Sequence, residues 1–405
     1  MADPHEGLHQ TCNVNAKAKL NLVYLLIYLV AILDPLIILS YTPLVSIIKT
    51  TFKVNIELIA ISLTFHMLPF SFLNLFSGTL SDFYYRPKIL TYGLCISTIG
   101  SLLGALSPNI LLFSISRTIQ GVGSALIIPI TLALLGDIAP REAMGTIIGS
   151  YGAFFSVATT LAPLIGGFFA VRAWRLVPLI FSVYSLIGAL LIRVTFGARS
   201  VSRNETSWRH IFHQYERVVR NRNIILVSIA GFFLFFTTQG VQPFISDFLS
   251  LPPLLLSNEE IGVLFAIMGV TGIVFSFVGG ILIDKIGSRK TMALGFLLMI
   301  VPQSLLLFSE SYWPYLIWLS FLGGFQRFAL NSVQTLVVGS VPNAKGAASS
   351  IFNFARYLGF AAAPVLLARI YVTQGIRYLY VLNLILYLTC FLVSKFINRG
   401  NQLNA

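Results

Sequence analysis

The segment Gly78-Thr79-Leu80-Ser81-Asp82 returns as Gly280-Ile281-Leu282-Ile283-Asp284, with the two aspartates 202 residues apart. Each copy closes a long apolar run and leads into a basic turn, Arg86 and Lys88 in the first case, Lys285, Arg289 and Lys290 in the second. Two further landmarks keep nearly the same offset: Pro140-Arg141-Glu142 answers to Pro342-Asn343-Ala344 at 202 residues, and Ala162-Pro163 to Ala363-Pro364 at 201. A constant offset between separate landmarks is the mark of a tandem duplication.

The runs between the landmarks give the repeated unit its nature. The 405-residue chain is 56% hydrophobic and 10% charged, against roughly 25% charged in soluble domains, and its mean hydropathy is +0.84. Those values exclude a soluble globular enzyme, a disordered chain and a coiled coil. A membrane-crossing helix needs about 20 mostly apolar residues, and the sequence predicts twelve: 20–48, 56–78, 87–106, 109–136, 144–170 and 175–195, then 223–249, 259–283, 289–308, 312–341, 347–371 and 376–397. The expected fold is an all-α integral membrane protein of two six-helix bundles related by a pseudo-two-fold axis. The bundles are 20–195 and 223–397, joined by a polar, arginine-rich linker at 196–222 and flanked by tails at 1–19 and 398–405. An even number of spans per half makes the repeats parallel, so two bundles can rock about a site near the midplane.

The net charge of +13 orients the chain. With both termini and the linker inside, 18 Lys and Arg lie in inside segments and 6 in outside segments, and Arg117, Arg327 and Arg356 fall within spans. The positive-inside rule then places both tails in the cytoplasm, and the expected location is the plasma membrane. The first apolar run is too long for a cleaved signal and is read as retained. The basic linker suits anionic headgroups rather than nucleic acid. Cys12, Cys95 and Cys390 lack metal-ligand spacing and imply no disulfide framework. No phosphate-binding loop, H-E-x-x-H or G-x-S-x-G element is present, so ATP hydrolysis, metalloprotease and serine-hydrolase chemistry are set aside. No cofactor, metal or obligate protein partner is expected, and twelve helices suffice for a working monomer.

At the two repeated loops, Gly78 and Gly280 allow close backbone approach. Asp82 and Asp284 can accept from the free N–H groups of a neighbouring helix end. Together with Arg86, Gly287 and Arg289 they are read as cytoplasmic latches. These loops resemble the G-x-L-A-D-R-x-G-R-K signature of the major facilitator superfamily. The first copy departs from it at Phe83, Tyr85 and Pro87, and the second is closer to pattern. The resemblance covers essentially the whole chain and implies a transporter that works by alternating access.

Within the spans, Arg117, Gln120, Gly121 and Ser124 share one helical face, and a charge at membrane depth marks a functional site by default. The run Arg117–Ala125 resembles the superfamily's R-x-x-Q-G-x-G-x-A motif, whose arginine is linked to proton movement in proton-coupled members. Asp34 sits halfway along the first span, where a carboxylate exchanges its proton only as water reaches it from one side or the other. Leu33-Asp34 with Pro43 resembles a first-helix stretch of drug:proton antiporters. Ala158, Ala162, Pro163, Gly166 and Gly167 form a small-residue face resembling that branch's fifth-helix motif, with alanine at two glycine positions. His66 is either a member of a proton relay or a neutral, hydrogen-bonded side chain.

The expected substrate cavity takes in Tyr41, Gln120, Phe235, Gln239 and Gln242, with two polar stripes, Arg327 with Asn331 and Asn353 with Arg356 and Phe360. Such stripes face water, substrate or other helices. The expected function is proton-coupled export of small lipophilic or amphipathic solutes, with sodium as the other candidate ion. The alternative is uptake of a sugar or organic acid, whose carboxylate Arg327 or Arg356 would bind. A polytopic membrane enzyme would show clustered acids or histidines at one face, and the one acidic pair is Glu259-Glu260.

Overall fold

The described residues form fourteen α-helices. They are α1 (Leu20–Ser40), α2 (Val45–Phe52), α3 (Ile56–Phe83), α4 (Arg86–Leu106), α5 (Ile110–Ile138), α6 (Met144–Ala173) and α7 (Leu176–Phe196) in the first half. A linker helix, α8 (Trp208–Val219), follows, and then α9 (Arg222–Leu249), α10 (Asn258–Ile286), α11 (Ser288–Leu306), α12 (Tyr312–Ser340), α13 (Lys345–Gln374) and α14 (Ile376–Phe396). This is a computed structural model, and it describes residues 20–197, 208–341 and 344–397. The tails, Arg199 and Arg203 of the linker, and the Pro342-Asn343 landmark lie outside the described residues, as do the surroundings of Gly78 and the side chain of Asp82.

Ten of these helices are long and apolar enough to cross a bilayer; α11 and α12 bring the crossings to twelve. Large apolar side chains such as Val194, Phe277 and Phe308 point outward, as a hydrocarbon solvent allows. Some buried hydroxyls turn back onto their own helix: Ser40 donates to Leu36 O at 2.6 Å and Thr238 to Leu234 O at 2.6 Å. A polar side chain is thereby satisfied without an outside partner.

The duplication read from the sequence is repeated in the packing. The pairs α1–α6, α3–α5, α4–α5 and α4–α7 of the first half have their counterparts in α9–α13, α10–α12, α11–α12 and α11–α14 of the second. The halves meet along α3–α13 and α6–α10, which exchange places under the pseudo-two-fold. Thr64 donates to Ala361 O at 2.7 Å on the first seam, where Phe70 and Tyr357 also meet edge to face at 4.7 Å.

Two features differ from the sequence expectation. The first, fourth and seventh spans are interrupted, between Ser40 and Val45, between Ser124 and Ile128, and between Thr238 and Gln242. Pro43 and Pro243, which lack a backbone donor, lie at or just past the first and last of these breaks. The linker, expected to be a polar loop, carries α8 with one strongly apolar side: Val218 is buried, and Tyr215 donates to Leu75 O at 2.7 Å.

Candidate functional site

Arg117, 1% exposed, is the largest fully buried side chain among the described residues, and α5 delivers it toward α1. Its guanidinium stacks on the Tyr41 ring at 4.0 Å and donates to Gln120 Oε1 at 2.5 Å, while Gln120 Nε2 donates to Ser101 Oγ at 2.9 Å. One turn of helix brings residues 117 and 120 onto one face, so the bond follows from the motif's spacing. Arg117 Nε keeps no partner. Asp34, 2% exposed, faces the same place from α1, with Ser124 and Arg117 as its polar neighbours. One Asp34 oxygen and both ring nitrogens of His66 are buried without a hydrogen bond.

Gly121 explains how His66 comes so near. The α3 backbone passes so close to Gly121 that a methyl group there would collide with the His66 carbonyl. His66 therefore lies behind the arginine, stacked on Phe70 at 6.4 Å. The small face of α6 works in the same way. Gly166 abuts Ser40 at the end of α1 and Pro43 in the break beyond it, and Gly167 abuts Asn258 and Glu259 of α10. Ala158, Ala162 and Pro163 are buried beside them. The stripe thus joins α6 both to the broken end of α1 and to the opposite half.

In the second bundle Arg356 lies over the rings of Tyr357, Phe235 and Phe352 at 4.6, 5.1 and 5.4 Å and donates to Tyr357 Oη at 2.9 Å. Arg327 rests against Gly272, where a methyl group would stand 3.2 Å from its Nε. Tyr357, which accepts from Arg356, also meets Phe70 of the first half edge to face at 4.7 Å, so Arg356 stands beside the seam between the halves. Phe360 packs near the same seam with Met67 and Phe70. The Asn331 amide is engaged elsewhere, donating to Ser276 at 2.9 and 3.1 Å and tying α12 to α10. Gln239 and Gln242 flank the α9 break, Gln242 buried, and Asn353 is half-buried on α13.

The described latch residues bind within their own halves. Arg86 pairs with Asp137 and donates to Ala133 O at 2.9 Å, and Arg289 donates to the Ser394 and Lys395 carbonyls. Asp284 is exposed, and the positions around Gly280 and Gly287 face open space. The opposite end is laced across the halves. Lys49 of α2 pairs with Asp247 of α9, which also accepts from Tyr371 of α13 at 2.9 Å. Asn258 donates to Pro43 O at 2.6 Å, and Arg172 meets Glu259 at 2.8 Å. Sequence reasoning missed Lys49, Asp247 and Tyr371, as well as Tyr357; a carboxylate two residues from the end of the seventh span was the one available signal.

Twelve crossings in two equivalent bundles, a charged centre at membrane depth and one laced end agree with a match to the family model of the Major Facilitator Superfamily over residues 24–257 and 227–402. The chain belongs to the Major Facilitator Superfamily. It is 25% identical over 396 residues to the uncharacterised MFS-type transporter YvkA of Bacillus subtilis (strain 168), covering 84% of this chain and 88% of that one. A shorter stretch of 89 residues is 36% identical to Multidrug resistance protein 3 of the same organism, which is 22% of this chain and 17% of the relative. Among solved structures, a bacterial homologue of the human lysosomal transporter Spinster, inward-facing and unoccupied, superposes with a TM-score of 0.75 at 16% identity over 94% of this chain and 98% of the other. The chain is therefore a multi-pass membrane transporter of the superfamily.

Proposed function

We propose that this transporter couples the outward movement of a small amphipathic organic solute to the inward movement of protons by alternating access. The observation that carries the reading is Asp34: a carboxylate at membrane depth, buried, with one oxygen unpartnered, beside an arginine held in place by Tyr41 and Gln120. Such a group is costly in hydrocarbon and is retained where it does work. Arg117 sets the charge against which Asp34 gains and loses its proton. His66 stands behind it, both ring nitrogens buried without a hydrogen bond, as the relay member of this reading.

The excess of Lys and Arg on one side supports cytoplasmic tails and linker, in the plasma membrane. On that orientation the laced end is extracellular, and the state is inward-facing. Gly280, Asp284, Gly287 and the two latch arginines would engage across the halves when the cytoplasmic end closes, with Gly78 and Asp82 as the first half's members of the same latches. The small stripe on α6 and the resemblance to antiporter motifs support export. Purified protein in liposomes, challenged with a solute panel under an imposed pH gradient, tests the reading. A solute-dependent loss of the gradient that disappears in Asp34→Asn is expected; coupling that survives Asp34→Asn at every pH overturns it.

A further inference from the structure

At the laced end, the ends of α9, α11, α12, α13 and α14 meet around a cavity of about 360 Å³. Sites for small molecules begin at about 300 Å³. The wall is mostly apolar, with Phe248, Leu254, Leu307 and Ile376 beside the phenols Tyr315 and Tyr380. The Phe248 and Tyr315 rings lie 6.2 Å apart. Tyr380 is fully buried, and its hydroxyl has no hydrogen-bond partner. A buried polar group left unpaired is uncommon and asks for a partner. An oxygen carried in by a ligand would supply one.

Two charged side chains stand in the same wall, Glu310 and Arg377. They face each other at 3.7 Å and are 78% and 68% exposed. The mouth is therefore bipolar, and it favours neither an anion nor a cation. Trp313 and Tyr378 are exposed at this end, as aromatic side chains are where a bilayer meets water.

The cavity also adjoins the contacts that join the halves. Phe248 follows Asp247, which pairs with Lys49 and accepts from Tyr371 at 2.9 Å. Gln374, another wall residue, lies one turn beyond Tyr371 on α13. A molecule wedged here props the ends of α9 and α13 in the arrangement that presents Asp247 to Lys49.

We infer that this cavity is a second solute site, separate from the central one, which takes a small uncharged amphiphile with a hydrogen-bonding oxygen, and that its occupation holds the laced end shut. Tyr380 donates to the oxygen, and the apolar wall covers the body. A ligand can shift the equilibrium between states only by binding one of them better, and here the favoured state is the one with Asp247 bound. The site does not depend on Asp34 or on proton coupling.

The test is equilibrium binding to the purified full chain in nanodiscs, with empty nanodiscs as the reference for partition into lipid. The probes are 4-phenylbutan-2-one and butylbenzene, which share an apolar body and differ in the oxygen. The ketone should bind about three- to tenfold more tightly, the gain expected of one buried hydrogen bond. Tyr380→Phe should abolish that preference and leave butylbenzene binding unchanged. Leu254→Trp and Leu307→Trp, which fill the cavity from two sides, should each remove binding of both probes. The second readout is Ser46→Cys, beside Asn258 at the same end, in a chain whose three native cysteines are replaced. Saturating ketone should slow its reaction with an impermeant maleimide by about threefold through the population shift, and Leu307→Trp should erase the effect. No binding, equal binding of the two probes, a preference that survives Tyr380→Phe, binding that survives both tryptophans, or an unchanged labelling rate overturns the inference. Because no proton gradient enters either measurement, the Asp34 coupling experiment stands or falls separately.

Discussion

At the scale of single residues, Arg117 and Gln120 show how one hydrogen bond can serve both folding and transport. Gln120 accepts a hydrogen bond from the guanidinium and holds it beside Asp34. Gln120→Leu removes it and strands a buried charge, at a cost of roughly 1.5–3 kcal/mol for a hydrogen bond to a charged group. A lower apparent melting temperature in detergent is expected. Gln120→Glu keeps a partner for Arg117 but adds a carboxylate that competes with Asp34 for it. Thermal stability should therefore stay near that of the wild type while dissipation of an imposed pH gradient falls at least tenfold. If both variants lose stability and transport together, the arginine has a structural role alone. This pair was legible in the sequence because the 3.6-residue period places both side chains on one face. Arg356 was legible as a charge within a span, but its aromatic surroundings were not, since Phe235 arrives from a helix more than a hundred residues away.

At the scale of helices, the small-residue stripe of α6 predicts a sharp positional difference. Gly166→Ala drives a methyl group against the Ser40 carbonyl and to within 2.8 Å of Pro43. Overpacking of this kind costs roughly 1–3 kcal/mol. Gly145 lies on the same helix with nothing near it, so Gly145→Ala should be neutral. Parallel melting curves of the two variants check this; equal behaviour would mean that the α1–α6 contact relaxes freely. The stripe itself could be read from the sequence because small residues recur at helical spacing. Its double use, against α1 in its own half and α10 in the other, could not, because spacing says which face is smooth and not which helices lie on it. The breaks in α1 and α9 were hidden for a related reason: an apolar run across a bent segment has the same hydropathy as one along a straight helix. Asn331 was a plausible lining residue until its amide was found on Ser276.

At the scale of the whole molecule, the asymmetry between the two ends is a statement about which state is favoured. The laced end joins the halves through Lys49, Asp247 and Tyr371, with Asp247 3% and Lys49 22% exposed. Alternating access requires these bonds to break whenever that end opens. A buried ion pair that loses one member leaves its partner uncompensated, so Lys49→Met and Asp247→Asn should both move the population toward the state open at that end. A cysteine placed at Ser46, which in the wild type is tucked beside Asn258, reports on it when the three native cysteines have been replaced. Its reaction with a maleimide that cannot cross membranes should accelerate about tenfold in either variant, the change that follows from about 1.4 kcal/mol of population shift. The double variant Lys49→Met with Asp247→Asn should react no faster than the faster single, because both substitutions remove the same bond. Rates that add up in the double variant would show two independent contacts instead of one lock, and an unchanged rate in all three would mean that the seams α3–α13 and α6–α10 hold this end shut by packing alone.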